Sequence, residues 1–473
     1  MNDDLFVGVQ LFPFSYLHEG VEQTLKRLRD WSAVNAIMLV SANRGESKYS
    51  FGKQWDSGHE NVEGPYKAMG GYYSNPDMDL YDGTALKPVK CPEEGLSDID
   101  SLQVTIDAAR PLGMKVYAMI FEALYANQPD ALYKNTAMAL AQDVLGRPVM
   151  QGCYNNPHYR NFLLAMIEDH VRNYDIEGIY IEFEGWGMQS PSYFLGLPDK
   201  GMPICFCDHC MDAARKRGWD GDKARKGFLE LIERRDASNG GQDDGAFVET
   251  LRIMLHYPEI LAWESMWMQT RQRMFLEIYG TAKAIDPEKK VGWNVNSPVQ
   301  TMPVARAAYD YGTAHKFSDW VKPNIHNAFA AGMFNQSVSR IQECLLPGVP
   351  PDTVSSVMLN IFGYDPPLAA DAMAKERFGT DFRFGSQFVK NETQRVVRKV
   401  QGRIPVYAGL DVEPPVSELD SDVERGMEAS VNAALDAGAR GLIMGQFYHD
   451  WPRDSLEAVG RAVRARGQLL RFS

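Results

Sequence analysis

Eight short apolar runs, each followed by a stretch of helical periodicity, limit the folds open to this chain more than any other feature. The runs are Phe6–Phe12, Ala36–Ser41, Lys115–Phe121, Gly178–Glu184, Lys290–Asn296, Trp320–Asn324, Pro405–Asp411 and Gly441–Gln446. The helical patterns alternating with them cover Gly20–Ser32, Ile99–Ala109, Pro157–Tyr174, Ile260–Ala284, Val304–Tyr311, Asp381–Lys399, Asp422–Ala437 and Asp454–Ala465. Such alternation is the pattern of a parallel sheet with helical crossovers, and eight units predict an α/β fold closed into a (β/α)8 barrel. The connections are unequal. Helix-to-strand links are short and carry glycine, as in Leu112-Gly113-Met114 and Ala437-Gly438-Ala439-Arg440-Gly441, whereas the strand-to-helix segments near 42–98, 185–257 and 325–380 are long. In a barrel these long segments gather where the strands end and can wall a deep pocket. We therefore expect one barrel over residues 1–473 with three insertions on its catalytic face. Within them, Ser238–Gly245 reads as a mobile surface loop.

A chain of 473 residues with 45% hydrophobic content can bury a core of that size. Its 49 basic and 62 acidic side chains leave a formal charge of −13, so a polyphosphate would bind against the overall field and nucleic acid is not an expected partner. No apolar run is long enough to span a bilayer, and Met1–Val9 enters strand-like sequence without a basic leader. The expectation is a cytoplasmic protein without a membrane partner; homo-oligomerisation stays open.

The fourth run, Gly178-Ile179-Tyr180-Ile181-Glu182-Phe183-Glu184, is followed by Gly185-Trp186-Gly187, which breaks the strand. Strand side chains alternate, so Tyr180, Glu182 and Glu184 share one face and Ile179, Ile181 and Phe183 the other. Two acids on one inward face at a strand's carboxyl end are costly without a purpose. In the seventh run Val406, Ala408, Leu410 and Val412 face the helices, leaving Tyr407, Asp411 and Glu413 inward before Pro414-Pro415. Strands four and seven lie roughly across a barrel mouth. Glu182 or Glu184 would thus oppose Asp411 or Glu413, the two-carboxylate arrangement of glycoside hydrolysis, in which one acid protonates the leaving oxygen and the other attacks the anomeric carbon or activates water.

The other strand ends suit a polyol. Asn294 and Asn296 end the fifth run, Lys322, Asn324 and His326 the sixth, and Gln446, Tyr448 and His449 the eighth. Amides, a lysine and histidines can bind hydroxyls, and Trp186, Tyr448 and Trp451 offer flat faces to a sugar ring. Glu122, after the third run, is placed similarly. No glycine-rich phosphate loop follows any run and no Gly-x-Ser-x-Gly elbow is present, so no nucleotide cofactor is expected. Trp263 and Trp267 have i,i+4 spacing and read as core packing.

Three of six cysteines fall in Cys205-Phe206-Cys207-Asp208-His209-Cys210; Cys91, Cys153 and Cys344 are dispersed. The motif can supply three zinc thiolates, but the usual second Cys-x-x-Cys pair is absent. The expectation is therefore free thiols packed beneath a loop, with no metal and no role in catalysis.

Gly8-Val9-Gln10, Ser15-Tyr16-Leu17-His18-Glu19-Gly20-Val21, the Gly178–Glu182 strand, the Cys-Phe-Cys-Asp-His-Cys segment and Asp319-Trp320-Val321-Lys322-Pro323 together resemble a group of bacterial TIM-barrel proteins described as glycoside hydrolases or glycoside-hydrolase-like. The resemblance implies a (β/α)8 fold, a carbohydrate substrate and a carboxylate at the end of strand four, here Glu182 or Glu184. The sequence thus reads as a glycoside hydrolase with an exo preference for small glycosides. Two alternatives are a metal-dependent sugar isomerase, epimerase or lyase using Glu182, Asp411 and histidines, and a catalytically silent carbohydrate-binding barrel.

Overall fold

The computed structural model describes residues 5–17, 19–43, 47–50, 65–121, 133–182, 202–236, 244–296, 298–364, 384–411, 420–445 and 447–472. All eight expected strands are present: β1 (Phe6–Leu11), β2 (Ala36–Asn43), β3 (Lys115–Phe121), β4 (Gly178–Ile181), β5 (Lys290–Val295), β6 (Trp320–Pro323), β7 (Tyr407–Leu410) and β8 (Gly441–Met444). They pair in parallel, in the order β6-β5-β4-β3-β2-β1-β8-β7. Single bridges close the last seam, Val321 to Val406 and Asn324 to Gly409. There the amides of Val321 and His326 donate to the carbonyls of Pro405 at 3.2 Å and Gly409 at 3.0 Å. The result is a (β/α)8 barrel.

Each strand is followed by a helix where the periodicity predicts one: Val21–Ser32, Ser101–Ala109, Pro157–Asn173, Glu259–Ile285, Pro303–Ala308, Ser386–Val400, Asp420–Asp436 and Arg453–Phe472. Local chemistry sets where these start. Asn156 Oδ1 accepts the His158 amide at 2.9 Å with Pro157 in the first turn, and Asp100 Oδ1 accepts the Gln103 amide at 3.1 Å.

The long segments hold more structure than their loop-like sequence suggests. Segment 185–257 contains helices Asp208–Arg215, Gly221–Asp236 and Ala246–His256, and segment 325–380 contains Asn327–Cys344 and Pro351–Ile361. In Asn327–Cys344 the buried Ala330, Phe334, Val338 and Ile341 form a stripe at helical spacing, lowered in contrast by the alanines and glycine around it. Segment 42–98 adds Gly71–Tyr72 antiparallel to the end of β2 and a hairpin of Ser47–Ser50 with Pro65–Ala68. Residues 238–243 of the expected mobile loop lie outside the described residues. No helix among the described residues is long and apolar enough to cross a membrane.

Side-chain alternation divides the core in two. Ile179, Ile181, Val406, Ala408 and Leu410 pack outward against the helices, where Trp263 and Trp267 are also buried. Inside the barrel an aromatic plug fills the floor: Phe6 stacks on Tyr407 at 4.0 Å, and Trp320 stacks on Tyr180 at 5.4 Å and meets Tyr117 edge-on at 5.7 Å. Gly292 on β5 makes room for this plug, because a Cβ there would lie 2.0 Å from the Trp320 ring. Gly292→Ala is therefore expected to destabilise the fold by roughly 3 kcal/mol, the upper end of overpacking costs. Urea unfolding checks this as a lower midpoint at unchanged m-value; an unshifted midpoint would show that the plug can yield.

Candidate active site

Glu182 follows directly on β4. Its amide still donates to the Ile120 carbonyl at 3.0 Å, so the ladder carries the alternation one residue further and sends the carboxylate into the mouth above Tyr180. Three donors hold it. Oε2 accepts from Tyr180 Oη at 2.6 Å and Gln10 Nε2 at 3.1 Å, and Oε1 accepts from Asn294 Nδ2 at 2.7 Å. Gln10 Oε1 in turn accepts from Lys322 Nζ at 3.2 Å. This relay defines the Gln10 amide orientation, because only the oxygen can face an ammonium and only the nitrogen a carboxylate. Gln10 of β1, Tyr180 and Glu182 at the end of β4, Asn294 of β5 and Lys322 of β6 thus form a single network.

The electrostatics follow from enclosure. Lys322 is fully buried, and burial pushes its ammonium down to about 8 while the Glu182 and Asp411 carboxylates oppose the shift. Burial also raises Glu182 above the usual carboxylate value, against the pull of the Lys322 charge and the donors Tyr180, Gln10 and Asn294. Glu182 nonetheless keeps part of its surface open to solvent. It is therefore a carboxylate whose charge is costly, whose countercharge is one side chain away, and whose orientation is held from three sides.

The β6 and β7 ends surround Lys322. Gly409 gives it space, since a Cβ there would lie 2.7 Å from Lys322 Cε. Asp411 is fully buried, and its Oδ2 accepts the Phe329 amide at 3.0 Å, in the first turn of helix Asn327–Cys344. An anion at a helix N-terminus is favourable, so Asp411 already has a task in the scaffold. His326 precedes that helix at φ 22°, buried and kept neutral by burial and the Lys322 charge, which push its pKa well below the ordinary value. Its ring lies against Gly445, where a Cβ would fall 1.7 Å from Nε2. Asn296 and Asn324 are buried at the ends of β5 and β6.

The residues after β8 are placed differently. Tyr448 is buried with its hydroxyl donating to Glu19 Oε2 at 3.1 Å, and Trp451 is buried with Nε1 donating to the Gly445 carbonyl at 2.8 Å. Protein therefore occupies the faces expected to meet a sugar. His449 is buried too, its Nδ1 3.2 Å from Ser15 Oγ and its ring stacked on Phe447 at 5.7 Å. Glu122, Glu184, Trp186, Glu413 and Gln446 lie outside the described residues. Gln10 was not among the expected site residues. The signal was there, an amide on the inward phase of an otherwise apolar β1, but its partners lie on strands far away in sequence.

The cysteines are free and buried, and they bring together residues that are far apart in sequence. Cys153, dispersed in sequence from the motif, joins Cys205, Cys207 and Cys210 in one buried group whose sulfurs all lie within 4.8 Å of one another. Among the described residues no other set of three or more Cys, His, Asp or Glu side chains converges to metal-ligand reach. Glu182, Asp411 and the histidines needed for a metal-dependent isomerase do not meet in this way.

No family model matches the chain, and no curated protein matches its sequence. Solved structures do match. The β-galactosidase of the psychrophilic Marinomonas ef1 aligns over 99% of this chain at TM-score 0.52 and 9% identity. The polyextremophilic β-galactosidase of the Antarctic haloarchaeon Halorubrum lacusprofundi aligns over 97% at 0.51 and 13%, and the cold-adapted β-galactosidase of Rahnella sp. R3 over 99% at 0.50 and 13%. The likeness is one of fold. The chain spans 60%, 58% and 56% of the lengths of these three enzymes.

Proposed function

We propose that this protein is a glycoside hydrolase in which Glu182 faces the anomeric carbon and Glu413 donates the proton to the leaving oxygen. The observation that carries the reading is the Glu182 network: a half-buried carboxylate at a β4 end, aimed by Tyr180, Gln10 and Asn294 and balanced by Lys322. An oxocarbenium-like transition state places positive charge beside such a carboxylate and relieves the cost of its burial. Asn294 supports a substrate role as well, since Nδ2 serves Glu182 while its buried Oδ1 has no partner among the described residues and can accept from a sugar hydroxyl. Asn296, Asn324 and His326 ring the same mouth. Glu413 is preferred to Asp411 for proton donation because the Asp411 carboxylate is engaged at a helix N-terminus. The long segments after β2, β4 and β6 favour a walled pocket and exo action on small glycosides.

The fold likeness makes aryl β-galactosides the first substrates to assay, within a wider aryl glycoside panel. Glu413→Gln is expected to lower kcat by roughly 10²–10⁴-fold on substrates with poor leaving groups and far less on activated aryl glycosides, which need no proton. Equal losses on both would remove Glu413 from the acid role. Proton NMR of the first-formed anomer tests the geometry: retention supports attack by Glu182, and inversion makes it the base for a water. Sugar binding without turnover anywhere in the panel would leave the silent binding barrel.

A further inference from the structure

We propose that Cys153, Cys205, Cys207 and Cys210 form a structural zinc site that ties the segment after β3 to the segment after β4. The four thiols come from two places. Cys153 ends the strand pair Leu140–Gln142 with Pro148–Gly152, and the other three open helix Asp208–Arg215, with Cys207 at its N-cap. The segments are already joined by backbone bonds, Phe206 N to Gln142 O at 2.8 Å and Val144 N to Pro203 O at 2.9 Å. All four side chains are buried and none is in a disulfide.

The sulfur geometry suits a metal better than a bridge or simple packing. Cys153 and Cys210 sulfurs are 3.4 Å apart, and Cys153 and Cys207 sulfurs 3.6 Å. A disulfide needs about 2.05 Å, whereas a tetrahedral zinc with Zn–S near 2.3 Å has sulfurs about 3.8 Å apart. The surroundings suit a tetrathiolate, which carries surplus negative charge. The Gln142 amide donates to Cys205 Sγ at 3.3 Å and Asn155 Nδ2 to Cys210 Sγ at 3.5 Å, outer-shell donors of the kind that orient and stabilise zinc thiolates. The N-terminus of helix Asp208–Arg215 adds its positive end beside Cys207. On binding, each thiol gives its proton to solvent and each sulfur one electron pair to the metal, so no oxidant or reductant is involved. Four protein ligands leave no open position, which makes the site closed and non-catalytic. It would anchor the start of helix Asp208–Arg215 to the strand pair that precedes Cys153.

Elemental analysis of the full chain, purified from zinc-supplemented cells without chelator, is expected to find about one zinc per chain. Exchange with cobalt should give an intense thiolate-to-cobalt charge-transfer band and tetrahedral visible bands. Cys153→Ser should abolish or markedly weaken that band, and Cys91→Ser should leave it intact. Removing zinc should lower the thermal midpoint, and added zinc should restore it in a concentration-dependent way. Should Cys153→Ser fail to fold, the wild-type metal content and cobalt spectrum still decide. The proposal is overturned by folded wild-type protein holding less than about a tenth of an equivalent of zinc, by a mapped disulfide among the four cysteines, or by an unchanged cobalt spectrum in Cys153→Ser.

Discussion

Glu182→Gln is expected to lower kcat by about 10³-fold or more, some 4 kcal/mol of transition-state stabilisation, with a much smaller change in KM. The substitution keeps shape and removes charge. Both oxygens of Glu182 now accept: Oε1 from Asn294 and Oε2 from Tyr180 and Gln10. An amide must turn its NH2 towards one of these donor sets, leaving a clash of donors worth roughly 1–3 kcal/mol. Against that, a half-buried charge whose burial is unfavourable disappears, so the net stability change should be small and the protein should remain folded. Lys322 would report the change independently: without the Glu182 carboxylate, which holds its pKa up, its ammonium should titrate below about 8. Steady-state kinetics on the best substrate of the panel, with circular dichroism as the folding control, checks the main claim. Wild-type kcat in folded Glu182→Gln would refute a catalytic Glu182.

Lys322→Met is expected to produce the second large effect, and chiefly in the pH profile. The methionine fills the lysine stem's space but removes the charge that holds Glu182 down. Burial then acts with less opposition, the Glu182 pKa rises further, and the acidic limb of kcat/KM should move to higher pH. Stability should change with its own signature. Burial lowers Lys322 from the ordinary 10.5 to about 8. In that window the unfolded chain binds the proton that the folded chain releases, so this group makes stability rise from pH 8 to 10.5, and below pH 8 it costs roughly 3 kcal/mol. The Lys322→Met protein should lack that rise. Glu182 has the opposite sign: its folded pKa lies above its unfolded one, so its contribution falls as pH rises from the unfolded carboxylate value to the folded one. Denaturation midpoints against pH separate the two. An acidic limb that stays in place would exclude Lys322 as the countercharge of Glu182.

Much of this arrangement was legible in the chain. The inward phase of β4 is visible in Tyr180 and Glu182 alternating with Ile179 and Ile181, and the inward phase of β7 in Tyr407 against Val406, Ala408 and Leu410. Lys322, Asn294 and Glu182 could be named as mouth residues because strand position and facing are local properties. Two things could not be read. The use of Asp411 as a partner for the Phe329 amide depends on a helix that begins only after β6 has ended. The burial of Tyr448 and Trp451 depends on where the chain turns after β8.

The sequence by itself determined the number of strands, their order of appearance and which side chains face inward, because a period of two along a strand and a stripe along a helix are written in neighbouring residues. It also determined that a carboxylate would stand at the end of β4. Only the tertiary structure decided which inward groups meet. Gln10 reaches Lys322 across 312 residues of chain because the closed barrel brings β1 and β6 within reach of one interior. Cys153 meets Cys210 across 57 residues because the chain at Pro203 and Phe206 bonds to the backbone at Val144 and Gln142. Contacts of this kind depend on closure and register, which arise from the summed packing of the whole barrel and leave no mark at the positions they join.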